Sequence, residues 1–184
     1  MRDLQLKKSP KDFDIVTNAD LGVIADILLE NEWTIDLAGR QFLVLIASKN
    51  GQQFEIALFR KDGSYTDGRR PDSVQVGTIE EDAQRRDFTI NSLYLNPWTG
   101  EVIDPTGKGI KDLNDKIIRF NGRASDRIKE DFLRVFRAYR FSSQLGFEIE
   151  RKALKACRTY FETACKTISG QRILIEVEKM SNVK

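Results

Sequence analysis

Two kinds of hydrophobic pattern divide the chain. In the first 60 residues apolar and polar positions alternate as in strands, and from about Ser125 they recur at spacings of three and four, as in helices. A helical pattern at 19–31, with Asn18 as its N-cap, lies among the strand patterns. The predicted strands share β-branched or aromatic residues: 10–17, 33–37, 42–47 and 53–59. The pattern therefore predicts a sheet with a helix lying against it, followed by a helical region.

The segment between these regions is polar and rich in turn residues. Residues 60–75 carry two Asp-Gly pairs and four positive charges, which is typical of a mobile basic loop or a solvated linker. Thr78 and Glu81 fit a capping box that begins a short helix. A dense polar group at 85–91 follows, and then an apolar run and a turn lead to a strand at 101–104.

The helical spacing that begins near Ser125 continues to about residue 180. A further helix is predicted at 150–167 and a last one at 170–180, which Ser169 caps. Asp131 and Arg134 are three residues apart in the predicted helix that begins near Ser125, so their side chains are expected to meet. Such a pair is either an ordinary ion pair or a preset hydrogen-bonding edge.

Composition limits the classes of protein that fit. With 184 residues, 40% of them hydrophobic, the chain can bury one core, or one core plus a helical extension. No run of 18 apolar residues occurs, and the first twelve residues are charged where a signal peptide is apolar, so a soluble cytoplasmic protein without a membrane segment is expected. The net charge of +2 does not by itself indicate nucleic-acid binding, which would require local clustering of basic residues. The sequence gives no indication of an oligomeric state.

Histidine and cysteine usage narrows the chemistry further. The chain has no histidine, which excludes histidine-based triads and imidazole metal sites. Cys157 and Cys165 are eight apart in a helical pattern, about 12 Å along the axis, which is too far for a disulfide within that helix. Reduced, buried thiols are expected in a cytosolic protein. Any catalysis must therefore use carboxylates, arginine, lysine and metal.

Two aspartates near the start are the first candidates for that chemistry. Asp12 and Asp14 are two apart in a predicted strand, so they point to the same face, about 6–7 Å apart along it. A hard cation between them would relieve their repulsion, and oxygen-only ligands favour Mg²⁺ or Mn²⁺ over Zn²⁺. The alternative is that Asp12 caps the strand and Asp14 faces solvent. Glu55 projects from the face opposite Ile56, so it is either a third carboxylate of the site or an exposed strand residue.

Six ordered segments resemble a known family. They are MRDLQLKKSPKDFDIVT, FEIALFRKDGSYTDGRRPDSV, EEDAQRRDFTINSLY, GIKDL, EDFLRVFRAYRF and ISGQRILIE. In this order they resemble the head and neck of the class II template-independent RNA nucleotidyltransferases, which include tRNA CCA-adding enzymes and bacterial poly(A) polymerases. The resemblance implies an α+β fold, with a polymerase-β-like mixed-sheet head at 1–122, truncated at its N-terminus. An all-helical neck at 123–184, truncated at its C-terminus, is expected to follow.

The resemblance also implies roles for individual residues. Asp12 and Asp14 are the expected catalytic residues and ligands of two Mg²⁺ ions, with Glu55 as a further candidate ligand. The expected ribose- and triphosphate-binding residues are Arg2, Asp3, Arg85, Arg86, Asp87 and Asn91. The expected nucleobase-binding residues are Asp131, Arg134 and Arg137, and a flexible loop contains Asp67, Arg69 and Arg70.

The implied reaction is addition of C and A to the 3′ end of tRNA from CTP and ATP, with release of pyrophosphate. The alternative product is adenosine alone, as in poly(A) polymerases or A-adding enzymes, on tRNA or another RNA. EEDAQRRDFTINSLY resembles the poly(A) polymerase branch, whereas FRKDGSYTDGRRP resembles CCA-adding members.

Three departures from the family pattern lead to a second alternative. The glycine pair expected just before Arg2-Asp3 is missing, Gln171 stands where the neck usually has Glu, and the chain stops shortly after the neck begins. Glycine backbone amides at that place lie against the triphosphate. The expectation is therefore a truncated chain, a misassigned start or an inactive nucleotide- or RNA-binding fragment.

Overall fold

The computed structural model describes residues 1–10, 13–68 and 71–181. The strands in this part of the chain are β1 (Asp14–Thr17), β2 (Thr34–Asp36), β3 (Val44–Lys49), β4 (Gln52–Leu58), β5 (Arg60–Asp62), β6 (Val74–Val76), β7 (Tyr94–Leu95), β8 (Val102–Ile103), β9 (Ile117–Ile118) and β10 (Glu148–Ile149). The α-helices are α1 (Arg2–Gln5), α2 (Leu21–Glu30), α3 (Ile79–Arg85), α4 (Gly109–Asn114), α5 (Ala124–Glu130), α6 (Leu133–Leu145), α7 (Arg151–Thr167) and α8 (Gly170–Ser181).

The described residues fall into two compact units. The first, here called the sheet unit, comprises the described part of Asp3–Gly63 and Ser73–Asp82. The second, the helical unit, comprises the described part of Met1–Arg2, Ser64–Asp72 and Ala83–Lys184. The boundary expected from the sequence between a head and a neck, at residue 122, stays a prediction.

The sheet unit contains a four-stranded mixed sheet in the order β1-β4-β3-β2. β1 runs parallel to β4, and the other neighbours are antiparallel. Alternation places one face of each strand against α2, where the core residues are Leu21, Ala25, Leu45, Ala47, Ile56 and Leu58. Burying a leucine or isoleucine here contributes about 1.5–3 kcal/mol. The predicted helix against a sheet is confirmed, with the opposite sheet face carrying Asp14 and Glu55.

Some boundaries differ from those that the sequence predicts. α2 begins at Leu21, and its N-cap is Asp20 rather than Asn18, because Oδ1 of Asp20 accepts hydrogen bonds from the backbone N–H groups of Gly22 and Val23. Residue 42 belongs to a short 3₁₀ turn rather than to a strand, and Leu43 after it has a left-handed backbone.

The predicted mobile loop at 60–75 is shorter than expected. Its two ends form the antiparallel pair β5–β6. Within the remaining segment, the Asp72 carboxylate accepts hydrogen bonds from the hydroxyls of Ser64 and Thr66. Hydrogen bonds from the side chains of Ser64 and Thr66 lower the pKa of Asp72, and burial, which raises it, has a smaller effect. The capping box is confirmed, because Thr78 and Glu81 each accept a hydrogen bond from the backbone N–H group of the other.

The helical unit is built around the segment 85–91, whose apolar residues point inward. Phe88 is fully buried and packs against Phe120 and Phe141, with ring centroids 4.8 and 5.6 Å apart. A 3₁₀ turn (Thr89–Asn91) then leads into the hairpin β7–β8, which confirms the predicted returning strand. The short parallel pair β9–β10 adds a contact that the sequence pattern does not predict.

The predicted helix from residue 125 is two helices. α5 ends at Glu130, the backbone of its C-cap residue Asp131 is extended (φ −149°, ψ 107°), and α6 begins at Leu133. Aspartate offers its side chain to nearby backbone N–H groups and so favours such breaks. Across α6 and α8, Arg140 donates to Glu176, and both side chains are largely buried.

α7 confirms the predicted helix at 150–167. Ala153, Cys157 and Ala164 face inward as predicted, but Cys165 is exposed, so the expectation of two buried thiols is wrong for that residue. Both cysteines are free. Within the described ranges, no helix is long and apolar enough to cross a membrane.

Candidate active site

Two carboxylates stand side by side on the open face of the sheet unit. β1 pairs with β4 in parallel register, with Asp14 opposite Glu55. The neighbouring pair Ile15 and Ile56 occupies the other face, as alternation requires. The predicted face of Glu55, opposite that of Ile56, is therefore confirmed, and the register places its carboxylate beside the aspartate strand. Its role in the site stays a prediction.

Both carboxylates are exposed, and no described residue donates a hydrogen bond to either side chain. The sequence predicts a metal site at Asp12 and Asp14 with Glu55 as a further candidate ligand, and the carboxylate oxygens of Asp14 and Glu55 are donors that fit Mg²⁺. Asp12, the other predicted catalytic residue, lies outside the described residues. Among those that are described, no three acidic or cysteine side chains are close enough to hold a metal ion.

In the helical unit, Asp87 is the centre of a polar cluster. Its Oδ2 accepts hydrogen bonds from Nε and Nη2 of Arg137, at 2.8 and 2.6 Å. Its Oδ1 accepts from the backbone N–H of Phe88 and from Nδ2 of Asn91, at 2.8 and 3.0 Å. Asn91 in turn accepts a hydrogen bond from Nη1 of Arg2, at 2.8 Å. The structure thus joins four predicted site residues in one network.

The ionisation of Asp87 follows from this network. Burial by itself raises the pKa of the Asp87 carboxyl, but the Arg137 charge and the hydrogen bonds from Asn91, Arg137 and Phe88 outweigh it and hold the pKa below its ordinary value. Asp87 is therefore a buried anion. The guanidinium of Arg137 also lies over the Phe141 ring, as does that of Arg2, at 5.5 and 4.8 Å from the centroid.

The other predicted ribose- and triphosphate-binding residues lie nearby in the chain. Arg86 is stacked over the Tyr94 ring at 4.9 Å, and its Nη1 is 3.4 Å from the Asn91 carbonyl. Arg85 ends α3, and its carbonyl accepts hydrogen bonds from Arg127 and Arg134. Asp3 is half-buried in the single turn of α1.

The structure does not pair Asp131 with Arg134 as the helical spacing predicts. Asp131 lies just after the end of α5, so its side chain is not in helical register with Arg134. Oδ1 of Asp131 accepts a hydrogen bond from the backbone N–H of Leu133 at 3.0 Å and lies 3.9 Å from Nη2 of Arg172. Burial raises the pKa of Asp131, and these groups oppose the shift only in part. No described residue donates a hydrogen bond to its Oδ2.

Arg134 donates its hydrogen bonds to other groups of the protein instead. Its guanidinium donates to Oε2 of Glu130 at 2.7 Å and to the carbonyls of Arg127 and Arg85 at 2.8 and 3.1 Å. The side chain is 9% exposed. Arg134 therefore joins α5, α6 and the end of α3.

The last predicted group is the flexible loop. Asp67 is exposed in the segment between β5 and β6, whereas Arg69 and Arg70 lie outside the described residues.

Two groups of ionic residues, most of them partly buried, were not predicted from the sequence. Arg127 contacts Glu130 and the carbonyls of Arg85 and Arg86, and its spacing of three from Glu130 was a signal for the first contact. Arg119 bridges Asp112 and Glu150, at 2.9 and 2.7 Å. The residues of this second group are far apart in sequence, so no local pattern reveals it.

Comparisons with known proteins concern the family and the fold of this chain. The family described as the Poly A polymerase head domain matches residues 1–119. The CCA-adding enzyme of Enterococcus faecalis is 42% identical over 181 residues, which are 98% of this chain and 43% of that protein. The crystal structure of the Bacillus stearothermophilus CCA-adding enzyme in complex with CTP is 31% identical with a TM-score of 0.81, over 97% of this chain and 42% of that one. The Thermotoga maritima CCA-adding enzyme complexed with tRNA_CCA is 26% identical with a TM-score of 0.78, over 100% and 41%.

These comparisons confirm the predicted α+β fold. They also show that the chain spans less than half the length of the curated relatives it matches.

Proposed function

The chain belongs to the family of the Poly A polymerase head domain, and from that premise we propose that it is a template-independent RNA nucleotidyltransferase that adds C and A to the tRNA 3′ end. Its substrates are CTP, ATP and an RNA that ends in a free 3′-hydroxyl. The names of the relatives support this choice, since they are CCA-adding enzymes.

The observation that carries the proposal is the pair of exposed, unneutralised carboxylates at Asp14 and Glu55. In the proposal, Asp12 and Asp14 hold two Mg²⁺ ions, with Glu55 as a further ligand or as a neighbouring charge. The chemistry supplied by the ions, when bound, is activation of the 3′-hydroxyl and neutralisation of the triphosphate. The oxygen of the hydroxyl forms a bond to the α-phosphorus as the bond to the β-phosphate oxygen breaks, and pyrophosphate leaves.

The polar cluster of the helical unit has the chemistry needed to hold the nucleotide. Asn91 and the guanidinium groups of Arg2 and Arg86 offer hydrogen bonds and positive charge to the ribose and triphosphate, and Asp87 keeps Asn91 and Arg137 oriented. A site that hydrogen-bonds the 2′-hydroxyl discriminates against deoxynucleotides, because the missing hydroxyl leaves polar groups unpaired.

Asp131 is the first candidate for contact with the base. Its Oδ2 has no donor among the described residues, whereas Arg134 donates to three protein acceptors. Arg137 retains an Nη1 group that is not bonded to Asp87. We assign base recognition to Asp131 and Arg137, and we assign to Arg134 the positioning of Asp131.

The proposal also covers the whole protein. Residues 1–122 form the catalytic head and residues 123–184 the neck, and the partner is the 3′ end of tRNA in the cytoplasm. The alternative product is adenosine alone, which the name of the matching family favours.

Incorporation of labelled CTP and ATP tests the proposal. The RNA substrates are a tRNA lacking its CCA end, the same tRNA ending in CC, and an unrelated RNA. We expect C then A on the first, A on the second, and loss of about 10³-fold or more in Asp14→Asn, because a metal ligand supplies several kcal/mol of barrier reduction. Asp26→Asn, which removes an equal charge from the exposed side of α2 in the same unit, is the matched control and is expected to retain activity.

The pattern of products decides between the alternatives. Incorporation of A alone on every RNA would replace CCA addition by adenosine addition. Absence of incorporation, with ATP still bound, would overturn both.

A further inference from the structure

The helical unit contains a cavity of about 740 Å³, and none of the predicted site residues that the structure describes lines it. It lies between the segment 119–125, the loop before α4, and one face of α7. Its α7 wall consists of Lys152, Lys155, Ala156, Thr159 and Tyr160, which recur at helical spacing. The cavity opens to solvent, since Lys152, Lys155 and Thr159 are exposed.

Basic residues dominate the charge of this cavity. Five basic side chains line it, and Glu150 is the one acidic residue among its lining residues. Arg119 is held by Asp112 and Glu150, so its charge is neutralised within the protein. The remaining positive charge belongs to Lys108, Arg123, Lys152 and Lys155.

The side chains of these four residues have no partner among the described residues. All four residues are exposed, and within 1–10, 13–68 and 71–181 no residue forms a hydrogen bond or an ion pair with their side chains. The whole chain carries a net charge of only +2, so four unpaired cations around one cavity are a local concentration of charge. Like charges placed together repel each other, and a polyanion would relieve that repulsion.

The floor of the cavity is fixed. Arg119 is tied at 2.9 Å to Asp112, which also accepts a hydrogen bond from the buried hydroxyl of Thr89 at 2.7 Å. The amide of Asn121 donates to the carbonyls of Ala83 and Arg86 at 2.9 and 3.1 Å. A hydrogen-bonded, polar floor below exposed cationic side chains is suited to phosphate groups, which lysine binds as a point charge.

We propose that this cavity is a second RNA-binding site, in which Lys108, Arg123, Lys152 and Lys155 bind consecutive backbone phosphates of the RNA. The four cations come from three separate segments of the chain, and Lys152 and Lys155 are about 4.5 Å apart along α7, so the charge is spread along the opening rather than focused on one anion. The choice of RNA rests on the proposed function. The half-buried ring of Tyr160, which packs near Phe132, offers an aromatic wall beside the phosphates.

Salt-dependent binding of a fluorescein-labelled 16-nucleotide single-stranded RNA tests the site. The assay contains neither nucleotide nor Mg²⁺ and compares the natural chain with Lys152→Ala/Lys155→Ala. We expect the affinity at 50 mM salt to fall about tenfold, and the slope of log K against log salt to decrease by about 1.4, because each single-strand phosphate contact contributes about 0.7.

The matched control is Arg151→Ala/Arg158→Ala, which removes two exposed charges from α7 that do not line the cavity. We expect it to keep the natural affinity within twofold. Equal losses in the two double variants would overturn the proposal, since net charge alone would then explain binding. Circular dichroism checks that both variants keep the helical content.

A second measurement separates RNA from a small anion. If inorganic phosphate at constant ionic strength raises the Tm of the natural chain but not of the lysine variant, and RNA affinity is unchanged in the variant, the site binds a free phosphate and the RNA assignment is wrong. The proposed function is tested independently: RNA binding that depends on the two lysines, in a chain that incorporates no nucleotide, supports this site and overturns only the proposed activity.

Discussion

At Asp87 one buried carboxylate holds several elements together. It accepts four hydrogen bonds, and its partners come from α6 and from the segment directly after α3. Because its pKa is held below the ordinary value, the carboxylate contributes stability above about pH 4, and this contribution is lost as the pH falls through the lowered pKa.

Arg137→Ala is expected to lower the free energy of unfolding by about 2–3 kcal/mol at pH 7. Removing one partner of a buried pair costs about 3–5 kcal/mol, and the smaller figure applies because the Arg137 side chain is 34% exposed. As the pH falls from 7 to 3, Asp87 becomes protonated in the variant and needs no cation, so the difference from the natural chain decreases. Urea denaturation at both pH values measures this.

The double variant Asp87→Asn/Arg137→Ala is the control for this prediction. It removes both charges and should recover part of the lost stability, since no uncompensated anion remains. If Arg137→Ala changed the free energy of unfolding by less than about 0.5 kcal/mol, the usual effect of a surface substitution, the prediction would be contradicted.

Asp131 has the opposite electrostatics, and its replacement is expected to stabilise the fold. Burial raises its pKa, so the ionised carboxylate costs stability at neutral pH. Asp131→Asn keeps the acceptor for the Leu133 N–H and should raise the free energy of unfolding at pH 7 by about 0.5–1 kcal/mol, while reducing nucleotide incorporation.

The pH dependence of that difference is the discriminating measurement. As the pH falls through the raised pKa, Asp131 takes up a proton and its cost disappears, so the natural chain and Asp131→Asn should converge. A gap that stays constant between pH 7 and pH 4 would show that the charge of Asp131 is not the cause.

At the scale of elements, the sequence predicts whether a segment is a helix or a strand more reliably than it predicts the residues at which that segment ends. The strands β3 and β4 and the helix α7 follow from alternation and helical spacing. The break at Asp131 does not, because 124–145 is helical in spacing throughout and only the competition of one aspartate with its backbone interrupts it. The pairing of Asp131 with Arg134 failed for that reason.

The start of α4 depends on a close approach that no pattern indicates. A Cβ built on Gly109 would lie 2.7 Å from the Thr89 carbonyl oxygen and 2.7 Å from Cδ2 of Leu93. Gly109→Ala should therefore lower the free energy of unfolding by about 1–3 kcal/mol, in spite of the higher helix propensity of alanine.

Gly170 is the matched control, since it is also the first residue of a helix and has no atom within 4 Å of the built Cβ. Gly170→Ala is expected to be neutral or stabilising by less than about 1 kcal/mol. Chemical denaturation of both variants measures the contrast, and similar changes in the two would show that the contact at Thr89 is relaxed at no cost.

At the scale of the whole molecule, the two thiols report on folding. Cys165 is exposed, whereas burial raises the pKa of Cys157 to about 12. At pH 8 a thiol reagent should therefore titrate one cysteine in the folded chain and two in denaturant, since the thiolate is the reactive form. Rapid reaction of both thiols without denaturant would mean that α7 opens readily.

Some groupings of residues in the folded molecule could be predicted in part from the sequence, and others could not. Alternation predicted that Glu55 projects from the face opposite Ile56, but whether it belongs to the site or is an exposed strand residue was left open. The pairing of β1 with β4 is what places it opposite Asp14. The cationic cavity was not predicted, because Lys108, Arg123, Lys152 and Lys155 are brought together only by tertiary packing. A net charge of +2 conceals that local concentration.

The anchoring of Arg134 has a consequence for engineering nucleotide preference. Its guanidinium bonds to Glu130 and to two backbone carbonyls, so most replacements at this position remove support from three helices at once. A combinatorial library that randomises 131, 134 and 137 together would therefore contain many members whose helical unit is destabilised. A library that varies Asp131 alone would keep the hydrogen bonds of Arg134. Differences in nucleotide incorporation among its members would then reflect the side chain at position 131.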